Sequence, residues 1–178
     1  MTATFLSLDV IEEIAKESSG SGRYINPSKI EGELRLRFFG TGITGFEAWT
    51  EDNKPIRWET KPEKLPANVR VQEGYAPLKR FLAAKVYDYA AGDFKILQIT
   101  QKTLMDQLFK YIKDEDYGDP TQYDIKISKT GEGKKTEYTL VAAPPKPVSK
   151  EIQAAYDEWP CNLNALYDGD DPFAEASA

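Results

Sequence analysis

The chain contains no histidine and a single cysteine, Cys161. Without histidine it lacks the usual general base near neutral pH and the commonest transition-metal ligand. The two shortages together exclude a tetrahedral zinc site of Cys and His ligands within one chain, and an intramolecular disulfide. One unpaired thiol fits a reducing compartment, so a cytoplasmic location is expected. No run of ~18 apolar residues occurs, so no membrane span is expected. The opening segment Met1–Asp9 also lacks the basic and apolar regions of a secretory signal. Catalysis would have to rest on carboxylates alone. The chain is therefore read as non-enzymatic, without cofactor or metal.

Positive charge is also in short supply, but unevenly. The 178 residues carry 23 Lys and Arg against 29 Asp and Glu, a net charge of −6. Seven of the acids (Glu151, Asp157, Glu158, Asp168, Asp170, Asp171 and Glu175) fall after Lys150, where there is no Lys or Arg. The preceding 150 residues then carry a net charge of +1. Between Arg23 and Lys85 there are 12 basic and 8 acidic residues. A near-neutral body with a local cationic excess, joined to an acidic end, is compatible with a nucleic-acid partner where the total charge is not.

Hydrophobic spacing divides the chain into three parts. In residues 1–22, Leu6, Val10, Ile11 and Ile14 recur at helical spacing before the flexible Ser18–Gly22 linker. This helix would pack on the domain or on another subunit, which leaves a homo-oligomer open. Residues 23–150 read as strands: Leu34–Phe39 alternates, Gly40–Gly45 is a turn, and Phe46–Trp49 starts a second short strand. Ile56–Trp58 follows a tight connection, and Lys61–Pro66 must be loop. Leu78–Tyr89 and Phe94–Ile99 make a hairpin around Ala91–Asp93. Thr100 caps a helix to Tyr111 or Lys113, and Tyr123–Ser128 pairs with Thr136–Val141. Pro144–Pro147 stiffens the exit into an amphipathic stretch, Lys150–Trp159, and residues 151–178 are read as a flexible acidic tail. The expected class is mainly β (α+β): a five-stranded OB-like barrel with an inserted helix, an N-terminal helix and that tail.

Four constellations bear on function. On the alternating strand, Leu34, Leu36 and Phe38 share one face, while Arg35, Arg37 and Phe39 share the other. Trp49, Lys54, Arg57, Trp58, Arg70, Lys79, Arg80, Lys85 and Tyr87 extend that set. Cations that follow phosphates, interleaved with rings that stack on unpaired bases, are what single-stranded nucleic acid requires. The loop Ser128–Lys135 has glycines and lysines but not the spacing of a nucleotide-binding P-loop, and it joins two strands, so it reads as a hairpin tip. Asp114, Glu115, Asp116, Asp119 and Asp124 would be the ligands of a Mg²⁺-dependent nuclease, against the plainer reading of solvated loop acids. The tail sequence Asp168, Asp170, Asp171, Pro172 and Phe173 combines acids with an aromatic anchor, suited to docking on a partner or to competing with DNA. Truncation after Lys150 is accordingly expected to strengthen DNA binding.

Two segments resemble the single-stranded-DNA-binding proteins of tailed bacteriophages. One is Arg23–Lys29, leading through the early strands to Trp49 and Lys54–Arg57; the other is Tyr123–Gly133 with Thr136–Tyr138 and Pro144–Pro147. The resemblance implies an OB-fold, protection of single strands during phage DNA replication and recombination, and an acidic end that recruits replication or recombination proteins. It implies a bacterial host cytoplasm as the setting. Asp170–Phe173 looks like the acidic tip of bacterial single-strand-binding proteins, although five residues follow Phe173. A phage-encoded interaction protein that modulates a host enzyme is the alternative.

Overall fold

Seventeen consecutive residues, Glu33–Trp49, form one strand, β2, on which the rest of the sheet is assembled. In the computed structural model the described residues are 23–173; the expected helix and linker of residues 1–22 lie outside them. Strand β1 (Tyr24–Ile25) is short, and β3 (Pro55–Trp58), β4 (Lys79–Asp88) and β5 (Asp93–Ile99) follow β2. After helix α1 (Lys102–Lys113) come β6 (Asp124–Thr130), β7 (Glu137–Ala142), helix α2 (Lys150–Glu158) and the single turn α3 (Ala165–Asp168). Strand order is β1-β5-β4-β2-β6-β7, with β3 paired to the C-terminal half of β2. The protein is mainly β, a single curled, open sheet shaped as a half-barrel. No helix among the described residues is long and apolar enough to cross a membrane.

The expected turn at Gly40–Gly45 is instead an irregularity inside β2. Pairing with β4 shifts between Phe39 and Ile43, and Gly40 takes φ +63°, which costs glycine nothing. An inserted kink lets one strand change direction without ending. Its first half pairs with β6 and its second half with β3, while β4 follows both. A second close approach explains Gly45: a Cβ there would lie 2.3 Å from the Trp58 carbonyl oxygen and 2.9 Å from the Phe81 ring.

The hairpins β4–β5 and β6–β7 and helix α1 follow the spacing of their apolar residues. Leu104, Met105 and Leu108 of α1 are buried, and they close the inner face of the sheet over Leu36, Phe38, Val86, Leu97, Ile125 and Ile127. Each fully buried Leu or Ile contributes about 1.5–3 kcal/mol. The N-cap is Gln101 rather than the expected Thr100, and it makes no side-chain capping bond. Phe109 and Ile112 remain exposed.

The outer face differs most from expectation. Residues 151–173 are not a free tail; they fold back across the sheet. Ser149 caps α2 through its Oγ, and the segment then lays its apolar side chains on the strands. Tyr156 stacks on Phe39 (centroids 4.7 Å) and Trp159 on Phe94 (5.3 Å). Leu163 and Leu166 are buried with Phe81, Ala83 and Ile96, and the Tyr167 hydroxyl donates to the Thr44 carbonyl (2.7 Å). Phe173 meets Trp159, Tyr24 and the Arg23 guanidinium. The acids Asp157, Glu158, Asp168, Asp170 and Asp171 all stay exposed. The physical reason is amphipathicity: an outer sheet face carrying Phe39, Phe81, Phe94 and Ile96 needs a cover, and this segment holds enough large apolar groups to supply one. Residues 174–178 lie outside the described residues.

Candidate nucleic-acid interface

The alternation along β2 places Arg35, Arg37 and Phe39 on one face as expected, but that face is not free for a ligand. Arg37 is 1% exposed. Its Nε donates to Asp124 (2.7 Å), Nη1 to the Thr121 carbonyl (2.9 Å) and Nη2 to the Lys146 carbonyl (2.8 Å). Arg35 gives Nε and Nη2 to the other oxygen of Asp124, and the Tyr89 hydroxyl adds a further bond to that carboxylate (2.8 Å). Burial alone would raise the Asp124 pKa; the bonds from Arg35, Tyr89 and Arg37 outweigh it and hold the carboxyl below its ordinary value. Asp124 therefore belongs to an internal ion-pair network and is not available as a nuclease ligand. Among the described residues no three acids, cysteines or histidines gather as a metal site would require.

Phe39 lies under Tyr156, the Lys85 ammonium sits 5.6 Å from the Tyr156 ring, and Tyr87 packs edge-on against Tyr89 and Phe94. Of these three expected DNA contacts, Phe39 and Lys85 are thus spent on the C-terminal cover and Tyr87 on the rings of its own hairpin. Phe46 and its register partner Trp58 lie on the opposite face, where Arg80 stacks on Phe46 at 4.6 Å. Lys54 is exposed in the turn after β2.

What the fold does bring together is the group around Trp49. β3, β2 and β4 run side by side, so Arg57, Glu47 and Lys79 are aligned across three strands. Beside them opens a groove of about 520 Å³ whose wall includes Trp49, Arg57, Lys79, Gln98, Tyr24 and Lys29. A second hollow of about 110 Å³ shares Glu47, Trp49 and Lys79 with it and adds Arg70 and Tyr75. The two form one track past Trp49, which is 40% exposed, towards Tyr75, which is 63% exposed. Arg70 is held there by Asn53 (Nη1 to Oδ1, 2.7 Å) and by its backbone N–H, which donates to the Trp49 carbonyl (2.7 Å).

The floor of the groove is a closed network. Glu47 is buried, and its Oε1 accepts from the Trp49 indole Nε1 (3.0 Å). Its Oε2 accepts from Arg57 Nε (3.0 Å) and from the Gln98 amide, while Arg57 Nη2 donates to Gln98 Oε1 (2.9 Å). Burial raises the Tyr24 phenol pKa above its ordinary value; the Arg57 charge opposes the shift and the Asp171 charge adds to it.

Of the residues expected to contact DNA, Trp49, Arg57, Arg70 and Lys79 are brought together. Tyr24, Lys29, Glu47, Tyr75 and Gln98 join them unforeseen. Tyr75 stood in a polar loop with no periodicity, and Glu47 is an acid, so neither matched a search for cations and rings on strands. A hollow of about 810 Å³ lies elsewhere, between α2 and the kink in β2. Its buried cation is Arg37, already donating to three acceptors, so it offers less to an anion than the Trp49 track.

Comparison with protein-family models, with curated proteins and with solved structures finds no match to this chain.

Proposed function

We propose that the protein binds single-stranded DNA without marked sequence preference along the Trp49 groove of an OB-like half-barrel. The observation that carries the reading is an exposed indole set in a concave track with Arg57, Lys79, Lys29 and Arg70, against one buried carboxylate. Bases stack on such rings for about 1–3 kcal/mol each, and phosphates follow the cations. Strand order supports the OB-like reading. The five strands β5-β4-β2-β6-β7 form one continuous path, and the helix enters between β5 and β6, the third and fourth of the five in chain order. In partly open barrels of that kind, oligonucleotides lie on the face of the second and third strands and on the loop between the first two. Here those are β4, β5 and the segment from Trp49 to Lys79, which line the groove.

Titration of oligo-dT, followed by tryptophan fluorescence, tests the proposal. Binding should weaken steeply with salt as counterions are released. Trp49→Ala should weaken it roughly 5- to 150-fold, the equivalent of one stacked base. No binding at low salt would end the reading, as would a Trp49→Ala protein that binds like the wild type. The exposed acids Asp168, Asp170 and Asp171, ahead of the docked Pro172 and Phe173, are proposed as the surface that recruits replication or recombination proteins. Pull-down with Asp→Asn variants of the three is the matching experiment.

A further inference from the structure

We infer that Glu47 is the positioning residue of the groove, fixing through one carboxylate both the ring that stacks and the guanidinium that meets phosphate. The inference rests on the Trp49 groove being the DNA site. A buried carboxylate in the floor of an anion-binding track is at first sight a liability, because it repels phosphate and is costly to desolvate. Its bonds explain what it does there. Oε1 holds the Trp49 indole by its only polar atom, and Oε2 holds Arg57 and Gln98, which are themselves bonded to each other. Without that tether an indole 40% exposed would be free to rotate, and stacking would have to immobilise it at an entropic cost. The arrangement sacrifices some electrostatic attraction for a ring already oriented. Lys79, aligned with Glu47 on the neighbouring strand, restores positive charge at the surface.

Glu47→Gln keeps the shape but supplies one acceptor oxygen in place of two, so it cannot serve Trp49, Arg57 and Gln98 together. Oligo-dT affinity should fall about 5- to 10-fold, the worth of one or two hydrogen bonds. Trp49→Phe keeps a stacking ring but has no N–H to tether. In that background Glu47→Gln should lose the part of its effect that runs through the ring and keep only the smaller part that runs through Arg57, whereas loss of a merely structural residue would add its full effect. A Glu47→Gln protein that binds DNA more tightly, as simple repulsion requires, overturns the inference, and so does an equal effect in both backgrounds. A readout without DNA decides independently. The chain has three tryptophans, and the Trp49 indole N–H signal in ¹H–¹⁵N spectra is identified by its loss in Trp49→Phe. It should exchange slowly with water in the wild type and markedly faster in Glu47→Gln. An unchanged exchange rate refutes the tether even where no DNA binds, whereas a wild type that shows the tether but binds no single strand refutes only the proposed function.

Discussion

Replacing Asp124 by Asn tests whether the strand face of Arg35 and Arg37 is internal structure or a ligand surface. In the wild type, one carboxylate with no solvent exposure accepts four bonds from three donors, Arg35, Arg37 and Tyr89. Asparagine keeps the shape but has a single acceptor oxygen, and it turns an amide towards guanidinium groups that already donate. The Arg35 side chain is 39% exposed and can be rehydrated, so its share of the loss is small. Arg37 cannot be: its side chain is 1% exposed, and without the carboxylate it leaves a buried charge without its counter-ion. Breaking a buried pair by removing one partner costs about 3–5 kcal/mol. For a chain of this size that lowers Tm by roughly 6–20 °C. The sign of the pH dependence follows from the depressed pKa of Asp124. Its contribution is fully present above the unfolded carboxylate value of about 4 and is lost as pH falls through the lower folded value. Denaturant unfolding of both proteins from pH 7 downward should therefore show a wide gap at neutral pH that closes in acid. Oligo-dT affinity, measured where Asp124→Asn is still folded, should stay within twofold of the wild type. A melting temperature within 2 °C of wild type, or a gap that persists in acid, would refute the account of the network. Intact stability with lost DNA binding would return Arg35 and Arg37 to the ligand surface.

Truncation after Lys150 removes Tyr156, Trp159, Leu163, Leu166 and Phe173 from the outer face. At about 1.5–3 kcal/mol for each large apolar group, the loss rivals the whole stability of an ordinary domain. The truncated chain should lose its cooperative melt and bind ANS, and a cooperative transition near the wild-type temperature would contradict the packing. Charge is better tested in the intact fold: replacing Asp168, Asp170 and Asp171 by Asn should tighten oligo-dT binding at low salt and have little effect near 1 M salt, where screening acts within ~3 Å. Gly45→Ala should destabilise by about 1–3 kcal/mol, because a backbone carbonyl 2.3 Å from the new Cβ cannot rotate away; a wild-type melt would show that β3 yields freely. Burial pushes the Cys161 thiol up to about 11, with Lys85 opposing, so at pH 8 a thiol reagent should label it slowly in the native protein and rapidly in denaturant.

Elements whose pairing is local were legible in the chain. The hairpins β4–β5 and β6–β7 join strands close in sequence, and α1 and α2 announce themselves by apolar spacing. The kink at Gly40 was not legible, because glycines between two apolar runs mark a turn and an internal bulge equally well. The site was half legible. Trp49, Arg57, Arg70 and Lys79 are cations and rings of the expected kind, but their meeting place depends on a loop returning from Trp58 to Lys79. Glu47 gave no signal at all, since its role lies in the donors that surround it.

By itself the sequence determined which side chains share a face. It determined that Leu36 and Phe38 oppose Arg37 and Phe39, and that acid is concentrated after Lys150. Only the tertiary structure decided which faces meet water. Alternation reports sides, not surroundings: α1 covers one side of this sheet and the C-terminal segment covers part of the other. Arg37 becomes internal because Asp124 stands 87 residues away on the neighbouring strand. The C-terminal aromatics become core because Phe39 and Phe94 lie uncovered until α2 crosses them. Long-range partners of this kind convert a cation-rich strand into structure, and they leave at the Trp49 groove an exposed ring with Lys29 and Lys79 beside it.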